Sequence, residues 1–267
     1  MGWNDAYWKN KNARAALAKK HNEDMIQKYS KEIAESVECT KTYMKNDNVF
    51  FSTEGNNVVN DVAVENTDTV SAILKYAIEG KKVLALNFAS FKNPGGSFLK
   101  GSSAQEESLC MESTLYEVIS DEKFSHFYEW NNQHKNRSLY HNRALVSPDI
   151  LFERGNVKVK ADVLTVAAPN RKAYFDYIAG ANEEDSANAL EERIGFIGDI
   201  LRDETPDVVI LGAFGCGVFG QNPEEVATLF KKYVNCQSIP KIVYAVIDKG
   251  GHTKEGAYAI FKRAMES

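Results

Sequence analysis

Several features are missing from this 267-residue chain, and each absence narrows what it can be. No stretch of about 18 apolar residues occurs, so no membrane-spanning helix is expected. The opening MGWNDAYWKNKNARAALAKKHNED lacks the apolar core and small-residue cleavage pattern of a secretory signal. Cys39, Cys110, Cys216 and Cys236 are scattered and form no CxxC pair. Neither a zinc ribbon nor a disulfide framework is supported, no metal or cofactor is expected, and a reducing, cytoplasmic setting is the simplest expectation. Basic residues are not in excess: 32 Lys+Arg against 37 Asp+Glu give a formal charge of -5. That argues against a broad cationic surface for duplex nucleic acid. A small anionic ligand stays open, because backbone amides can hold one without Lys or Arg.

Between Trp3 and Val49 there is neither glycine nor proline, and Leu17, Met25, Ile26, Tyr29, Ile33 and Val37 recur at helical steps. The pattern predicts one or two amphipathic helices packed on a larger body. Residues 1–48 are therefore set apart as an N-terminal helical accessory segment, and 49–267 as the main domain. Short β-like segments follow at 49–51, 58–59 and 62–64, then a helical stretch at 69–78. Four apolar runs, at 83–89, 163–168, 208–214 and 242–247, fit strands buried on both faces. Helical patterns at 105–120, 188–202, 223–235 and 254–265 alternate with them. The expected architecture is a three-layer α/β/α domain. Residues 125–143 (SHFYEWNNQHKNRSLYHNR) are polar, aromatic and irregular, and are expected to form a surface insertion.

The first chemical constellation is NFASFKNPGGSFLKGSSAQEESLC, directly after a predicted buried strand. Asn93-Pro94-Gly95-Gly96 is turn chemistry, and glycines there let a backbone approach a ligand. Ser103-Ala104-Gln105-Glu106 has capping-box spacing, so Glu106 and Glu107 could be ordinary first-turn acids of a helix. Their position at the carboxyl end of a buried strand is, however, where open α/β sheets bind ligands. Adjacent carboxylates on one helical turn point about 100° apart and can address different atoms of one sugar. Glycosidic cleavage needs an acid for the leaving oxygen and support for an oxocarbenium-like centre. A helix dipole would depress both acids, whereas burial and nearby phosphate charge would raise them.

The second constellation is VVILGAFGCGVFGQNPEEVATLF, read as strand, glycine loop and helix. Asn222 suits an N-cap and Pro223 the first helical position. Gly212, Gly215, Gly217 and Gly220 leave backbone amides able to face an anion. The literal Gly215-x-Gly217-x-x-Gly220 match to a dinucleotide fingerprint lacks the expected helix start and downstream acid. Cys216 has no partner histidine nearby in sequence and reads as a small side chain packed under the loop.

Together the two motifs resemble the microbial-type poly(ADP-ribose) glycohydrolases, which are built on a macrodomain-like fold. Their signature, a glycine triplet followed by a short spacer and Gln-Glu-Glu, matches Gly95-Gly96-Ser97, the spacer 98–104 and Gln105-Glu106-Glu107. VSPDILFERG, VLTVAAPNRK and IVYAVID also match, so the resemblance runs from about Val62 to the C-terminus. It implies a mixed-sheet macrodomain that cleaves ribose–ribose O-glycosidic bonds of poly(ADP-ribose) or of an ADP-ribosylated protein and releases ADP-ribose. It implies Glu107 as the catalytic acid and Glu106 as the residue that positions the ribose. Gln105 completes the motif, and Gly95, Gly96 and Ser97 would cradle the diphosphate. Gly215, Cys216, Gly217, Val218 and Phe219 would form the second loop, and Asn87 or Asn93 would bond ribose hydroxyls. Asp68 is either an adenine-binding acid or an ordinary helix N-cap. Ser97 departs from the family pattern; if its position required positive φ, serine would cost about 1 kcal/mol. That departure keeps two alternatives in play, a non-catalytic ADP-ribose reader and a hydrolase of another ADP-ribose conjugate. His126, His134 and His141 do not match a common zinc spacing and read as surface histidines, and His252 sits in a predicted loop.

Overall fold

The computed structural model describes residues 10–44, 60–78, 80–235, 239–247 and 255–266. The segments predicted at 49–51 and 58–59, together with Cys236 and His252, lie outside the described residues.

Helix α1 (Lys11–Cys39) starts where the Asn10 side chain accepts the amides of Asn12 and Ala13 at 3.0 and 3.2 Å. That satisfies two of the four donors a helix start leaves open. The helix breaks its geometry once, at Tyr29 (φ -132°, ψ 27°). Its buried face is Ala18, Met25, Tyr29, Ser36 and Val37; Leu17 and Ile26, expected on that face, are 37% and 51% exposed. Each stands one position beside a buried residue, Ala18 or Met25, so the buried seam runs at steps of seven and four and is narrower than the sequence pattern suggests. Side chains fasten the helix to the body: Tyr29 Oη donates to Glu153 at 2.6 Å and Ser36 Oγ to the Pro148 carbonyl at 2.6 Å. Strand β1 (Lys41–Met44), not foreseen from the sequence, then joins the main sheet.

The remaining elements are β2 (Asp61–Glu65), α2 (Thr69–Ala77), β3 (Val83–Phe88), α3 (Gln105–Met111), α4 (Leu115–Ile119) and α5 (Ser125–Gln133). They continue with β4 (Arg143–Arg154), β5 (Val157–Val166), α6 (Arg171–Tyr177), α7 (Glu183–Glu204), β6 (Val208–Leu211), α8 (Pro223–Tyr233), β7 (Lys241–Ala245) and α9 (Ala257–Glu266). The seven strands form one mixed sheet in the order β1-β4-β5-β3-β6-β7-β2. Strands β5, β3, β6, β7 and β2 are mutually parallel, and β4 is antiparallel to both β5 and β1. The apolar runs divide residue by residue between two cores. Val83, Ala85, Val163 and Ile210 face α2–α5, whereas Leu84, Leu86, Leu164 and Val209 face α7–α9. The result is the expected three-layer α/β/α fold. No helix among the described residues is long and apolar enough to cross a membrane.

Two expectations are corrected, and one further strand was not foreseen. The helix expected over 105–120 is two, because the intervening backbone pairs with β4 instead. Thr114 N donates to Leu151 O at 3.0 Å, and Glu112 O accepts from Glu153 N at 2.9 Å. Strand β4 was hidden by Pro148, which a strand tolerates only at an edge or bulge. The register here shifts between Ser147 and Ile150, with Asp149 at φ 55°, and this bulge absorbs the proline. Residues 125–143 are not a surface insertion. They form α5 and a tight turn, and they bury Phe127, Tyr128, Asn131, Leu139 and Tyr140.

Candidate active site

Strand β3 ends at Phe88 and the chain loops through the glycines to enter α3. The N-cap of α3 is Ala104, one residue later than the capping-box spacing suggested. Glu107, not Glu106, reaches back: its Oε2 accepts the Ala104 amide at 2.9 Å and its Oε1 accepts the Ser97 amide at 3.0 Å. Glu106 therefore points the other way, toward β3. Its Oε2 accepts the Ser90 amide at 2.7 Å, and its Oε1 accepts from Asn87 Nδ2 at 3.3 Å. Burial pushes the Glu106 carboxyl up to about 8.

Gln105 stitches this corner together. Its carbonyl oxygen accepts the Phe88 amide at 2.8 Å, and its Nε2 donates to the Leu86 carbonyl at 2.9 Å and to Thr69 Oγ1 at 3.2 Å. With both ends of the carboxamide held by protein, the side chain serves as a brace between α2, α3 and β3. Asn87, fully buried, donates to Glu106 and to Thr165 Oγ1, each at 3.3 Å. It lies under Glu106, whereas Asn93 stands on the cleft wall.

The glycines are required by shape. Gly95 and Gly96 have φ of 65° and 62°. A Cβ on Gly96 would stand 2.6 Å from Glu107 Oε1 and 3.0 Å from Glu106 Oε2. One on Gly95 would stand 2.6 Å from the Tyr116 ring. Ser97 has φ -118°, a conformation open to any L-residue, so the serine in place of a third glycine carries no backbone penalty.

The second loop leaves β6 at Gly212, where a Cβ would stand 2.6 Å from Ala245 O. It turns at Gly215 (φ 73°), which packs on Ala168 and Gln221. Gln221 Nε2 donates to the Pro169 carbonyl at 2.6 Å, and the Lys172 amide donates to Phe219 O at 2.9 Å, so α6 and its preceding turn hold the loop. Cys216 turns inward onto the α7–α9 core, and burial pushes its thiol up to about 12, against a thiolate nucleophile. Val218 is 78% exposed.

Both constellations line one cleft of about 900 Å³. Gly96, Ser97, Asn93, Gln105, Glu106 and Glu107 contribute from one side, and Gly215, Gly217, Val218 and Phe219 from the other. Asn87, Gly95 and Cys216 stand behind its walls rather than on them. Asp68 is the N-cap of α2, accepting the Ser71 amide at 2.9 Å and pairing with Arg154 at 3.1 Å, while it also lines the cleft. Sequence reasoning missed Ser90, whose amide holds Glu106, and Lys11 and Arg14, which reach the cleft from α1. Ser90 lies within the motif already singled out; nothing local marks Lys11 or Arg14. His134 and His141 both pack on the Trp130 ring.

The family described as microbial-type PARG, catalytic domain, matches residues 12–155, more than half of the chain. Comparison with curated proteins yields no match. Among solved structures, the chain is similar to the poly(ADP-ribose) glycohydrolase of Thermomonospora curvata bound to the inhibitor ADP-HPD. That pair shares 26% identity and a TM-score of 0.80 over 94% of this chain and 99% of that one. It is also similar to the Deinococcus radiodurans poly(ADP-ribose) glycohydrolase in complex with ADP-ribose, at 26% identity and a TM-score of 0.77, over 88% of this chain and 97% of that one.

Proposed function

The chain belongs to the microbial-type poly(ADP-ribose) glycohydrolase (PARG) catalytic-domain family, and from that premise we propose that it hydrolyses the ribose–ribose O-glycosidic bond of poly(ADP-ribose) and releases ADP-ribose. The observation that carries this reading is the meeting of Glu106 and Glu107 with both glycine loops on one cleft. The inhibitor- and ADP-ribose-bound relatives support reading that cleft as an ADP-ribose site.

In this reading the terminal unit lies with its diphosphate along the backbone of Gly96 and Ser97 and of Gly215, Gly217, Val218 and Phe219. No Cβ intervenes at the glycines, so phosphate oxygens can reach amides directly. The terminal ribose then sits over the acid pair. Glu107 gives its proton to the glycosidic oxygen as the bond from that oxygen to the anomeric carbon breaks. The bonding electrons stay with the departing oxygen, which becomes a hydroxyl of the shortened polymer. The oxocarbenium-like centre left behind is stabilised by the Glu107 carboxylate that the proton transfer leaves. Water adds to the anomeric carbon, and its surplus proton returns to Glu107, so one water is consumed per bond cleaved.

Glu106 positions the ribose. Held by Ser90 and Asn87 and protonated up to about 8, it can donate a hydrogen bond to a sugar oxygen at neutral pH. Asn93 supplies a further polar contact from the rim, and Asn87 acts through Glu106. Cys216 contributes backbone only. The feature that favoured a non-catalytic reader, Ser97, loses its force at φ -118°.

The test is product analysis after incubation with labelled poly(ADP-ribose). Free ADP-ribose is the expected product. Polymer that is bound but left intact would make the protein a reader, and ADP-ribose released only from protein conjugates would move the reaction to another linkage.

A further inference from the structure

Part of the wall of the cleft that holds Glu107 is built by α1. There the chain from Ser97 to Gly101 closes on itself: the Gly101 amide donates to Phe98 O at 2.9 Å, and the Ser102 amide to Ser97 O at 3.2 Å. This loop touches the first turn of α1. Arg14 Nε donates to the Gly101 carbonyl at 2.7 Å. Gly101, at φ 78°, packs so closely that a Cβ would meet the Lys11 carbonyl and stand 2.8 Å from the Ala15 amide. The start of α1 is thereby fixed to the loop that, through Ser97, also holds Glu107. Lys11, Arg14, Ser102 and Ser103 all line the cleft.

Lys11 and Arg14 are the only cationic side chains on the cleft wall among the described residues. Neither belongs to the glycine loops. The same cleft also carries the acids Glu106, Glu107 and Asp68. On the proposed reading a single ADP-ribose lays its one diphosphate along the two glycine loops, to which α1 contributes no residue. A polymer differs: the unit on the leaving side of the scissile bond carries its own diphosphate.

We propose that Lys11, with Arg14 beside it, forms a subsite for the diphosphate of that neighbouring unit, so that α1 makes the enzyme favour polymer over ADP-ribose attached to an uncharged group. The proposal rests on the hydrolase reading above. Arg14 is anchored by its Nε, so its guanidinium adds charge and shape. Lys11, exposed at the rim, supplies the mobile contact. Two positive charges opposite a diphosphate also attract an incoming polyanion.

The experiment compares kcat/KM for poly(ADP-ribose) and for an ADP-ribosyl glycoside whose leaving group is an uncharged aryl alcohol. The full-length wild type, Lys11→Ala, Lys11→Glu and Lys11→Arg are measured at low and high salt. The ratio of polymer to aryl glycoside should fall about three- to tenfold in Lys11→Ala and further in Lys11→Glu, and return in Lys11→Arg. Added salt should shrink the wild-type ratio toward the Lys11→Ala value. An unchanged ratio overturns the subsite, as does an equal loss on both substrates, which would mean that α1 only supports the loop around Glu107. A wild type that cleaves neither substrate overturns the hydrolase reading itself and this proposal with it.

Discussion

The Ser97 amide donates to Glu107 Oε1 at 3.0 Å, so the glycine turn and the proposed acid are fastened to each other. A second amide, from Ala104, holds the other oxygen at 2.9 Å. Glu107 is thus fixed at both oxygens by the backbone on either side of one loop, and a shift of that loop is a shift of the acid.

Gly96→Ala should therefore damage catalysis far more than folding. The new methyl would stand 2.6 Å from Glu107 Oε1, and alanine at φ 62° is strained by about 1 kcal/mol. The expected result is a loss of about 100-fold in kcat/KM, since a misplacement near 1 Å can cost that much. The unfolding midpoint should fall by only a few degrees. Steady-state kinetics beside thermal unfolding checks it; near-normal kinetics would mean that the pair tolerates displacement.

Ser97→Gly, which restores the family triplet, should bring no large gain. Ser97 already sits at an ordinary φ of -118°, so glycine relieves no strain there. It adds unfolded-state freedom and is expected to lower stability by about 0.5–1 kcal/mol. Urea unfolding together with the rate on polymer tests this. A rise in rate of tenfold or more would show that the serine side chain obstructs the cleft.

Glu117 gives a pH-dependent prediction. It is buried on α4, neither of its carboxyl oxygens has a hydrogen-bond partner among the described residues, and burial pushes it up to about 8. In the unfolded chain it ionises near its ordinary 4.5. Between those values the folded state holds the extra proton, so stability falls as pH rises through the window and levels off above about 8. Glu117→Gln stays neutral throughout and removes that slope, worth on the order of 5 kcal/mol across the window. Denaturant unfolding at pH 5 and pH 8 should show the variant gaining on the wild type at the higher pH. Parallel curves would refute the assignment of a neutral Glu117.

Much of the fold is legible in the sequence because the buried strands are short continuous apolar runs that only a sheet covered on both faces accommodates. The acid pair and both glycine loops are legible for a related reason: their chemistry is local, one strand end followed by one loop and one helix start. What escapes reading is what tertiary contact decides. Strand β4 carries Pro148 and is rescued by a bulge at Asp149. Residues 125–143 mix polar and aromatic types, yet the Phe91 carbonyl accepts from Asn131 Nδ2 at 2.8 Å, and Tyr140 stacks on the Phe91 ring with centroids 4.4 Å apart. The Asn87 and Asn93 alternatives could not be separated by spacing, since one lies beneath Glu106 and the other on the rim only once the strand and turn are in place. Lys11 is an ordinary first-turn lysine until Gly101 is packed against its backbone.

The most direct measurement is the single-turnover rate of ADP-ribose release from saturating poly(ADP-ribose) by Glu107→Gln, with ADP-ribose affinity measured on the same preparation. The side chain keeps its size and loses its proton, and general acid assistance is worth about 10²–10⁴-fold. The account predicts a rate reduced by at least about 100-fold with affinity within a few-fold of wild type. An undiminished rate with intact binding would contradict it.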